Sequence, residues 1–320
     1  MTRRIVALSG GVGGAKLVDG LARVLPPEDL TVIINTGDDF RHLGLWISPD
    51  IDSVVYALAG LSDPVRGWGR RDESWRFMEA IRGLGGADWF SLGDSDLAMH
   101  VERTHRLSDG ASLSEVTDRI ARILGIRARL LPMSDDPIAT QLQTDEGWLN
   151  FQDYFVGRRC LPAIRAIRFD GAATARAQPQ ALEALADPEL RLVVICPSNP
   201  FLSVEPILAI PAIRAALMDC AAPIVAVTPI IGGQAVKGPT GKIMQELGLE
   251  VSGAAVARRY AGLIDAFIVD QADPAPAAMG GVRFFKAQTR MDRTQDREDL
   301  ARAVLAVAGH GKKGETINVL

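Results

Sequence analysis

Short runs of aliphatic residues recur along the chain and are separated by segments in which apolar positions repeat at helical spacing. The runs cover residues 4–9, 30–34, 190–196, 224–227 and 263–269. Each run is nearly continuous rather than alternating, which is typical of strands buried on both faces of a parallel sheet. Because such strands alternate with helices, the pattern predicts an α/β fold with a mostly parallel, doubly wound sheet.

Residues 61–125 depart from this alternation, because strand signals fade there and helical spacing dominates. The clearest helix begins at a capping box formed by Ser112 and Glu115 and ends before Gly125. We therefore predict a helical insertion in an α/β core that consists of residues 1–60 and 126–320.

Composition and charge narrow the class of protein. The 320 residues are 48% hydrophobic and 23% charged, and the formal net charge is −4 without a long basic cluster. Nucleic acid is therefore not an expected partner, because binding its backbone usually needs a local positive surface. The longest apolar stretch, residues 221–231, contains two prolines and is much shorter than the roughly 20 residues that span a bilayer. We expect a cytoplasmic protein with no membrane partner and with three reduced cysteines.

A glycine-rich turn joins the first predicted strand to the first helix. It contains Gly10, Gly11, Gly13 and Gly14, and Lys16 follows two residues later. Such a turn lets backbone N–H groups approach a phosphate at the positive end of a helix. The spacing matches neither the dinucleotide-binding fingerprint nor the P-loop. A tight packing turn is the alternative, and the number of glycines favours phosphate binding.

Four carboxylates lie within fifteen residues, at the end of the second strand and on the loop that follows it. They belong to Asp38, Asp39, Asp50 and Asp52. Oxygen ligands suit Mg²⁺, which usually keeps water and substrate phosphate in the rest of its shell. The alternative is structural, with Asp52 as the cap of a helix that begins at Ser53 and with Asx turns at the first two aspartates. The pattern alone leaves both interpretations open.

Two later loops also follow predicted strands. The first contains Ser198 and Asn199, whose polar groups could contact a nucleotide base or ribose. The second contains Gly232, Gly233 and Lys237, which could form a second phosphate site with the lysine as counter-charge. All but the lysine are also ordinary turn residues, so a structural interpretation stays open for each loop.

Two histidines, His100 and His105, lie on the helix that is predicted to follow residues 92–96. Their separation of five positions places them on different faces of that helix, so they are poorly placed to share a metal ion. We expect both histidines to be structural.

A set of short motifs extends over nearly the whole chain. In order, they are SGGVGGAKL, NTGDD, GLWISPDID, RGWGRRDE, SLGDSDLAMH, SLSEVTDRI, LPMSDDP, FQDYFV, CPSNPFLSVEPIL and VAVTPIIGGQAVKGPTGK. Their number, order and spacing resemble the 2-phospho-L-lactate transferase family of deazaflavin (coenzyme F-420) biosynthesis. The resemblance implies a Rossmann-like core, dependence on Mg²⁺ and a homodimer. It also implies that the ribityl hydroxyl of the deazaflavin Fo attacks the phosphate bearing a three-carbon acid in a guanylylated diphosphate donor, and that GMP leaves.

The resemblance implies roles for individual residues as well. Asp38 and Asp50 correspond to the family's metal-binding carboxylates, and Asp52 corresponds to its contact with the Fo hydroxyl. Ser91 lies where some members carry a lysine in the Fo site. A serine hydroxyl can donate a hydrogen bond but cannot neutralise a phosphate. The motifs do not distinguish a donor that carries lactate from one that carries enolpyruvate or glycerate.

Two other functions are compatible with parts of the pattern. A nucleotide-sugar-binding regulator of the gluconeogenesis-factor-like family would share the same core, but the PDID, CPSNP and KGP motifs favour the transferase. An NAD-dependent oxidoreductase would use the glycine turn and Asp38 as its ribose contact. Lys16 stands where that fingerprint needs a third glycine, which argues against the oxidoreductase.

Overall fold

The computed structural model describes residues 4–308 apart from residues 237, 275 and 277. Its strands are β1 (Arg4–Ser9), β2 (Leu30–Ile34), β3 (Phe40–His42), β4 (Leu45–Ile47), β5 (Arg129–Pro132), β6 (Ala139–Thr144), β7 (Gly147–Asn150), β8 (Ile164–Asp170), β9 (Leu190–Ile195), β10 (Ile224–Val227), β11 (Ile230–Ile231), β12 (Gln234–Ala235), β13 (Ala266–Asp270) and β14 (Arg283–Ala287). Its helices are α1 (Gly11–Val24), α2 (Pro49–Leu58), α3 (Arg76–Gly83), α4 (Asp94–Ser108), α5 (Leu113–Ile123), α6 (Pro179–Leu185), α7 (Glu205–Leu208), α8 (Pro211–Asp219), α9 (Thr240–Glu246), α10 (Gly253–Arg259) and α11 (Thr294–Ala308). A 3₁₀ turn covers Pro27–Asp29, and π-helical turns cover Asp153–Gly157 and Pro200–Val204.

Seven strands form the central sheet, in the spatial order β14-β13-β10-β9-β1-β2-β5. Every neighbouring pair in this sheet is parallel. Along the sequence, β2 and β5 are added on one side of β1. The later strands β9, β10, β13 and β14 are then added in turn on the other side of β1. The strand order therefore reverses between β1 and β9, as in Rossmann folds. This confirms the predicted α/β class and the Rossmann-like, doubly wound sheet.

Helices cover both faces of the sheet, because alternate side chains of a strand point in opposite directions. In β1, Val6 and Leu8 pack into one apolar cluster, and Ile5 and Ala7 pack into another. The first cluster includes α6, α8 and α10, whereas the second includes α1, α2 and α11. With both faces buried, the central strands need continuous aliphatic runs, which is why these runs were visible in the sequence.

Residues 61–125 contain α3, α4 and α5. The predicted capping box is present at the start of α5, where Ser112 Oγ accepts a hydrogen bond from the Glu115 N–H and the Glu115 carboxylate accepts one from the Ser112 N–H. Helix α5 packs beside the edge strand β5. A separate antiparallel sheet follows, with the order β7-β6-β8.

One strand is shorter than the sequence predicts. The run at residues 263–269 becomes a strand only from Ala266. Leu263 and Ile264 instead donate their N–H groups to the Tyr260 carbonyl, in a turn that contains Gly262 at φ +82°. The apolar pattern did not distinguish a buried turn residue from a strand residue.

The three cysteines, Cys160, Cys196 and Cys220, are free thiols. Burial raises the pKa of Cys196 and, to a smaller degree, that of the half-buried Cys160. In the described part of the chain no single helix is long and apolar enough to cross a membrane, although Pro200–Leu208 and Pro211–Asp219 meet that criterion as a pair bent by 83°.

Candidate active site

The loops that follow β1 and β9 meet at the carboxyl edge of the sheet, where the strand order reverses. After β1 the chain continues into α1 on one face, and after β9 it continues into Pro200–Val204 on the other face. Loops that diverge in this way leave a crevice, which is where open α/β sheets bind ligands. A cavity of about 1110 Å³ lies here. The predicted site residues that line it are Gly10, Gly11, Gly13, Lys16, Asp38, Asp50, Asp52, Ser91, Ser198 and Asn199.

The glycines after β1 are packed closely against neighbouring loops. Helix α1 begins at Gly11, so most of the glycine segment is the first turn of a helix. A Cβ at Gly10 would overlap the Asp50 carboxylate, and a Cβ at Gly14 would lie 2.5 Å from Ser198 Oγ. Close packing therefore requires glycine at these positions, whether or not an anion binds. The N–H groups of the first turn of a helix lack partners within the helix, and one of them, at Gly11, donates to Asp50 Oδ1 at 2.5 Å.

Asp38 and Asp50 converge on one buried amide, that of Asn35. Asn35 Nδ2 lies 3.2 Å from Asp38 Oδ1 and 2.9 Å from Asp50 Oδ2. Burial raises the pKa of Asp38 well above its ordinary value, and the charge of Asp50 adds to this effect. Burial also raises the pKa of Asp50 to about 6, against the opposing effect of hydrogen bonds from Asn35 and Gly11. The hydrogen bonds to these two carboxylates therefore do not fully compensate for the burial of their negative charges.

A divalent cation suits this pair of carboxylates. Mg²⁺ is usually held by one or two carboxylates and completes its shell with water and substrate phosphate. Asp38 and Asp50 supply two hard oxygen donors beside the cavity, and a cation would relieve their mutual repulsion. By the spacing of their ligand atoms, Asp52, Asp96 and His100 could also hold a metal ion, since these atoms lie within 4.8 Å of one another.

Asp52 lies in the first turn of α2 and does not cap it. The helix begins at Pro49 after Ser48, so the sequence interpretation of Asp52 as the cap of a helix starting at Ser53 is wrong. Both Asp52 carboxylate oxygens instead accept hydrogen bonds from the Arg103 guanidinium. Proline at the first helical position moves the start of the helix four residues earlier than expected, which turns Asp52 inward.

His100 and His105 have different environments, although both lie on α4. His100 is buried, with Nε2 at 3.2 Å from Asp96 Oδ2 and Nδ1 at 3.8 Å from Asp52 Oδ2. The Asp96 carboxylate also accepts a hydrogen bond from the Tyr56 hydroxyl. His105 lies on the surface beside Asp109. The two histidines therefore do not share a site, and His100 is next to Asp52 in the cavity wall.

Asp39, the second aspartate of the GDD motif, forms hydrogen bonds within residues 39–48 and does not line the cavity. Asp39 Oδ2 accepts hydrogen bonds from Ser48 Oγ at 2.7 Å and from Trp46 Nε1 at 3.2 Å. Burial raises its pKa to about 8. These contacts attach Asp39, directly before β3, to Trp46 of β4 and to Ser48, directly before α2.

Ser91 is exposed and lines the cavity next to Phe90, whose ring, with the rings packed behind it, forms an aromatic wall. The neighbouring Phe90 packs edge-on against Phe40, with ring centroids 4.9 Å apart, and against His42 at 5.7 Å. A planar aromatic ligand could pack against such a wall, with the serine hydroxyl available for a hydrogen bond.

Ser198 and Asn199 both have structural hydrogen bonds and also line the cavity. Ser198 Oγ accepts from the Gly10 N–H at 3.3 Å, which links the loop after β9 to the loop after β1. Asn199 Oδ1 accepts from the N–H groups of Phe201 and Leu202 at 2.9 and 3.2 Å. A structural role therefore accounts for Ser198 Oγ and for Asn199 Oδ1.

Gly232 and Gly233 form the turn of a short hairpin between β11 and β12, with φ values of +59° and +69°. Two consecutive residues of positive φ are typical of a two-residue hairpin turn. Both glycines are exposed, and neither is among the described residues that line the cavity. Lys237 lies outside the described residues.

Sequence reasoning missed four polar residues of the cavity region: Asn35, Tyr56, Asp96 and Arg103. The sequence contained a signal for Asn35, since this residue directly follows β2 at the edge of the sheet that binds ligands. It also contained one for Asp96, because Asp96 and His100 are four positions apart and therefore neighbours on a helix. It contained no signal for Arg103, because its partner Asp52 is 51 residues away in the sequence.

The chain is similar to known proteins over nearly its whole length. Residues 5–308 match the family described as 2-phospho-L-lactate transferase CofD. A 2-phospho-L-lactate transferase of Methanosarcina mazei is 39% identical over 304 residues, which cover 94% of this chain and 99% of that protein. A phosphoenolpyruvate transferase of Kitasatospora aureofaciens is 40% identical over 321 residues, which cover 97% of this chain and 99% of that protein.

A solved structure of similar fold comes from Bacillus halodurans and is described as a member of the upf0052 family. It has a TM-score of 0.62 at 17% identity and covers 95% of this chain and 99% of its own. At that identity the likeness supports the fold alone. The family match and the two transferase relatives extend over almost all of the sequence, and we conclude that the chain belongs to the 2-phospho-L-lactate transferase family.

Proposed function

We propose that this transferase moves a phospholactyl or phosphoenolpyruvyl group from a guanylylated diphosphate donor to the ribityl hydroxyl of the deazaflavin Fo, with release of GMP, in coenzyme F-420 biosynthesis. The names of its relatives support a phosphorylated three-carbon acid as the transferred group. The observation that carries the proposal is the convergence of Asp38 and Asp50 on Asn35, beside the first turn of α1 in the crevice.

In this proposal Asp38 and Asp50 hold Mg²⁺, which neutralises the charge of the donor diphosphate when it is bound. Such a reaction needs charge neutralisation and alignment more than a protein nucleophile. The carboxylates serve this need because they are buried, close together and preoriented by Asn35 and Gly11.

The other predicted site residues are assigned to the two substrates. In this assignment the N–H groups at the start of α1 bind the donor phosphates together with the Lys16 ammonium, which also donates to the Met291 carbonyl at 2.6 Å. Ser198 and Asn199 contact the guanosine part of the donor. Asp52 accepts a hydrogen bond from the Fo hydroxyl, since a carboxylate oxygen bound to Arg103 keeps a second lone pair. Ser91 and the aromatic wall beside Phe90 contact the deazaflavin ring.

The bond changes follow from the donor chemistry. The hydroxyl oxygen of Fo forms a bond to the phosphorus that bears the three-carbon acid, and the bond from that phosphorus to the GMP oxygen breaks. The electron pair leaves with GMP, and the hydroxyl proton passes to the GMP phosphate or to water. Asp52 orients the hydroxyl for this attack.

The test is to incubate the purified protein with Fo, Mg²⁺ and each of three guanylylated donors, carrying lactate, enolpyruvate or glycerate. Mass spectrometry should detect one phosphodiester product of Fo together with GMP. No product with any donor, or GMP formation at the same rate without Fo, would contradict the proposal.

A chelator tests the metal part separately. EDTA should abolish GMP release, and added Mg²⁺ should restore it. Release at full rate in the presence of EDTA would overturn the metal assignment and leave the transferase proposal intact.

We further propose that the protein is a homodimer, which the family resemblance supports. Light scattering on the purified protein should then give twice the 34.3 kDa mass of the chain. A mass of one chain across a wide concentration range would exclude the dimer.

A further inference from the structure

A buried ion pair joins Asp52 on α2 to Arg103 on α4. The side chains are only 7% and 1% exposed, and the guanidinium donates to both carboxylate oxygens. An arginine fork that binds both oxygens fixes the plane of a carboxylate as well as its position. The orientation of Asp52 in the cavity is therefore set by a residue from another element.

His100 in turn contacts Arg103. His100 Nδ1 lies 3.3 Å from an Arg103 guanidinium nitrogen, and on the other side of the ring Nε2 lies 3.2 Å from Asp96 Oδ2. Arginine can only donate hydrogen bonds, so Nδ1 is the acceptor in this contact and the ring proton is on Nε2, which lies near Asp96 without a well-aligned hydrogen bond. The Tyr56 hydroxyl donates a hydrogen bond to Asp96, on the side of His100 opposite Arg103.

The same contacts argue against a metal ion in this cluster. Asp52, Asp96 and His100 have ligand atoms at metal-like spacing. The Arg103 guanidinium already supplies a positive charge here, because it donates to both oxygens of Asp52. A metal ion bound to Asp52 would lie close to this buried charge, and the two like charges would repel each other.

We propose that Arg103 and His100 are positioning residues for the transfer reaction: Arg103 holds Asp52 in the orientation that receives the acceptor hydroxyl, and His100 holds Arg103. The inference rests on the proposed contact of Asp52 with the acceptor. Loss of either residue lowers kcat through misorientation of Asp52, since an error of about 1 Å in position can cost about 100-fold in rate. Asp38 and Asp50 keep their metal affinity, because their hydrogen bonds come from Asn35 and Gly11 and not from Arg103 or His100.

Substitutions of His100 test the direction of the contact. In His100→Asn the amide oxygen can replace Nδ1 as acceptor for Arg103, whereas in His100→Gln the amide lies near the former Nε2 position, toward Asp96. We expect His100→Gln to lower kcat by about 10- to 100-fold with an unchanged donor KM, and His100→Asn to retain most of kcat. His105→Asn and His105→Gln are matched controls on the same helix, because His105 is exposed. Equal loss of kcat in the two His100 variants would overturn the role of Nδ1.

A double-mutant cycle tests whether Arg103 acts through Asp52. Arg103→Lys keeps the charge but not the two-pronged geometry, and we expect it to lower kcat in the wild-type background and to have little further effect in an Asp52→Asn background. Additive losses of kcat would show that Arg103 does not act through Asp52.

The same four proteins give a readout that needs no substrate. If the two side chains are coupled, the Tm loss of the double variant is smaller than the sum of the single losses. Additive Tm losses would overturn the coupling even if the wild type proved inactive with all three donors, an outcome that would separately disprove the proposed function.

Discussion

Gly13 lies so close to the carbonyl oxygen of Pro197 that a Cβ on Gly13 would overlap that oxygen. Gly13 belongs to the first turn of α1, and Pro197 belongs to the loop after β9. Their contact therefore joins the two loops that diverge at the reversal of strand order, and both residues line the cavity.

Gly13→Ala should consequently destabilise the protein, because a backbone carbonyl must move to accommodate the methyl group. We expect a loss of about 1–3 kcal/mol in the free energy of unfolding, measured by denaturant titration. Gly83→Ala is the matched control, since nothing lies within 4 Å of a Cβ added at that helical position. That variant should be unchanged or up to about 1 kcal/mol more stable. Equal stability of the two variants would show that the contact at Pro197 can relax.

Asp38→Asn and Asp50→Asn should give folded proteins with weaker Mg²⁺ binding, because each loses one charged ligand but keeps the shape of the side chain. Their activity should recover in part as the Mg²⁺ concentration is raised. The measurement is the Mg²⁺ dependence of the initial rate of GMP release. A rate that stays low at saturating Mg²⁺ would remove these residues from the metal site.

Asp52→Asn should behave differently from these two variants. Its Mg²⁺ dependence should be nearly normal, and turnover should fall by about 10² to 10⁴, the usual contribution of a positioned acid or base. A response to added Mg²⁺ like that of Asp38→Asn would place Asp52 in the metal shell. Full activity with reduced thermal stability would limit Asp52 to its ion pair with Arg103.

Asn199 offers a way to separate a structural role from substrate contact. Asn199→Ala removes the acceptor for the N–H groups of Phe201 and Leu202 and should cost about 1 kcal/mol of stability. Asn199→Asp keeps that acceptor but replaces the amide NH₂ with a charged oxygen, so its Tm should stay near the wild-type value. We expect the donor KM of Asn199→Asp to rise more than its Fo KM in steady-state assays. A larger rise in the Fo KM would place this loop at the acceptor.

The pair of Asp136 and Arg176 predicts a specific loss of stability in acid. Hydrogen bonds from Arg176 lower the pKa of Asp136 from its ordinary 3.8 to about 2. A carboxylate with a lowered pKa stabilises the fold above its unfolded pKa, and this contribution is lost as the pH falls from about 4 to about 2. The Tm difference between the wild type and Arg176→Gln should therefore be constant above about pH 5 and shrink below pH 4. A difference that does not vary with pH would show that Asp136 gains nothing from the side chain of Arg176.

The sequence by itself determined five of the seven strands of the central sheet and the start of α5, whereas the edge strands β5 and β14 were not predicted. Arg4–Ser9, Leu30–Ile34 and Ile224–Val227 have the predicted bounds, because strands buried on both faces must be aliphatic along their whole length. The capping box of Ser112 and Glu115 is equally local, since both partners lie within one helical turn. The resemblance of the ordered motifs to a transferase family is likewise a property of the sequence, and the family match confirms it.

The tertiary structure decided which of the candidate residues meet. Two glycine segments after strands looked alike in the sequence, yet Gly13 lines the crevice whereas Gly232 turns a hairpin on the surface. Asp52 was open to a capping role until the fold brought Arg103, distant in the sequence, against both of its oxygens. Local patterns report hydrogen bonds and burial within a few residues, whereas these contacts depend on how separate elements pack, and so the sequence alone could not specify them.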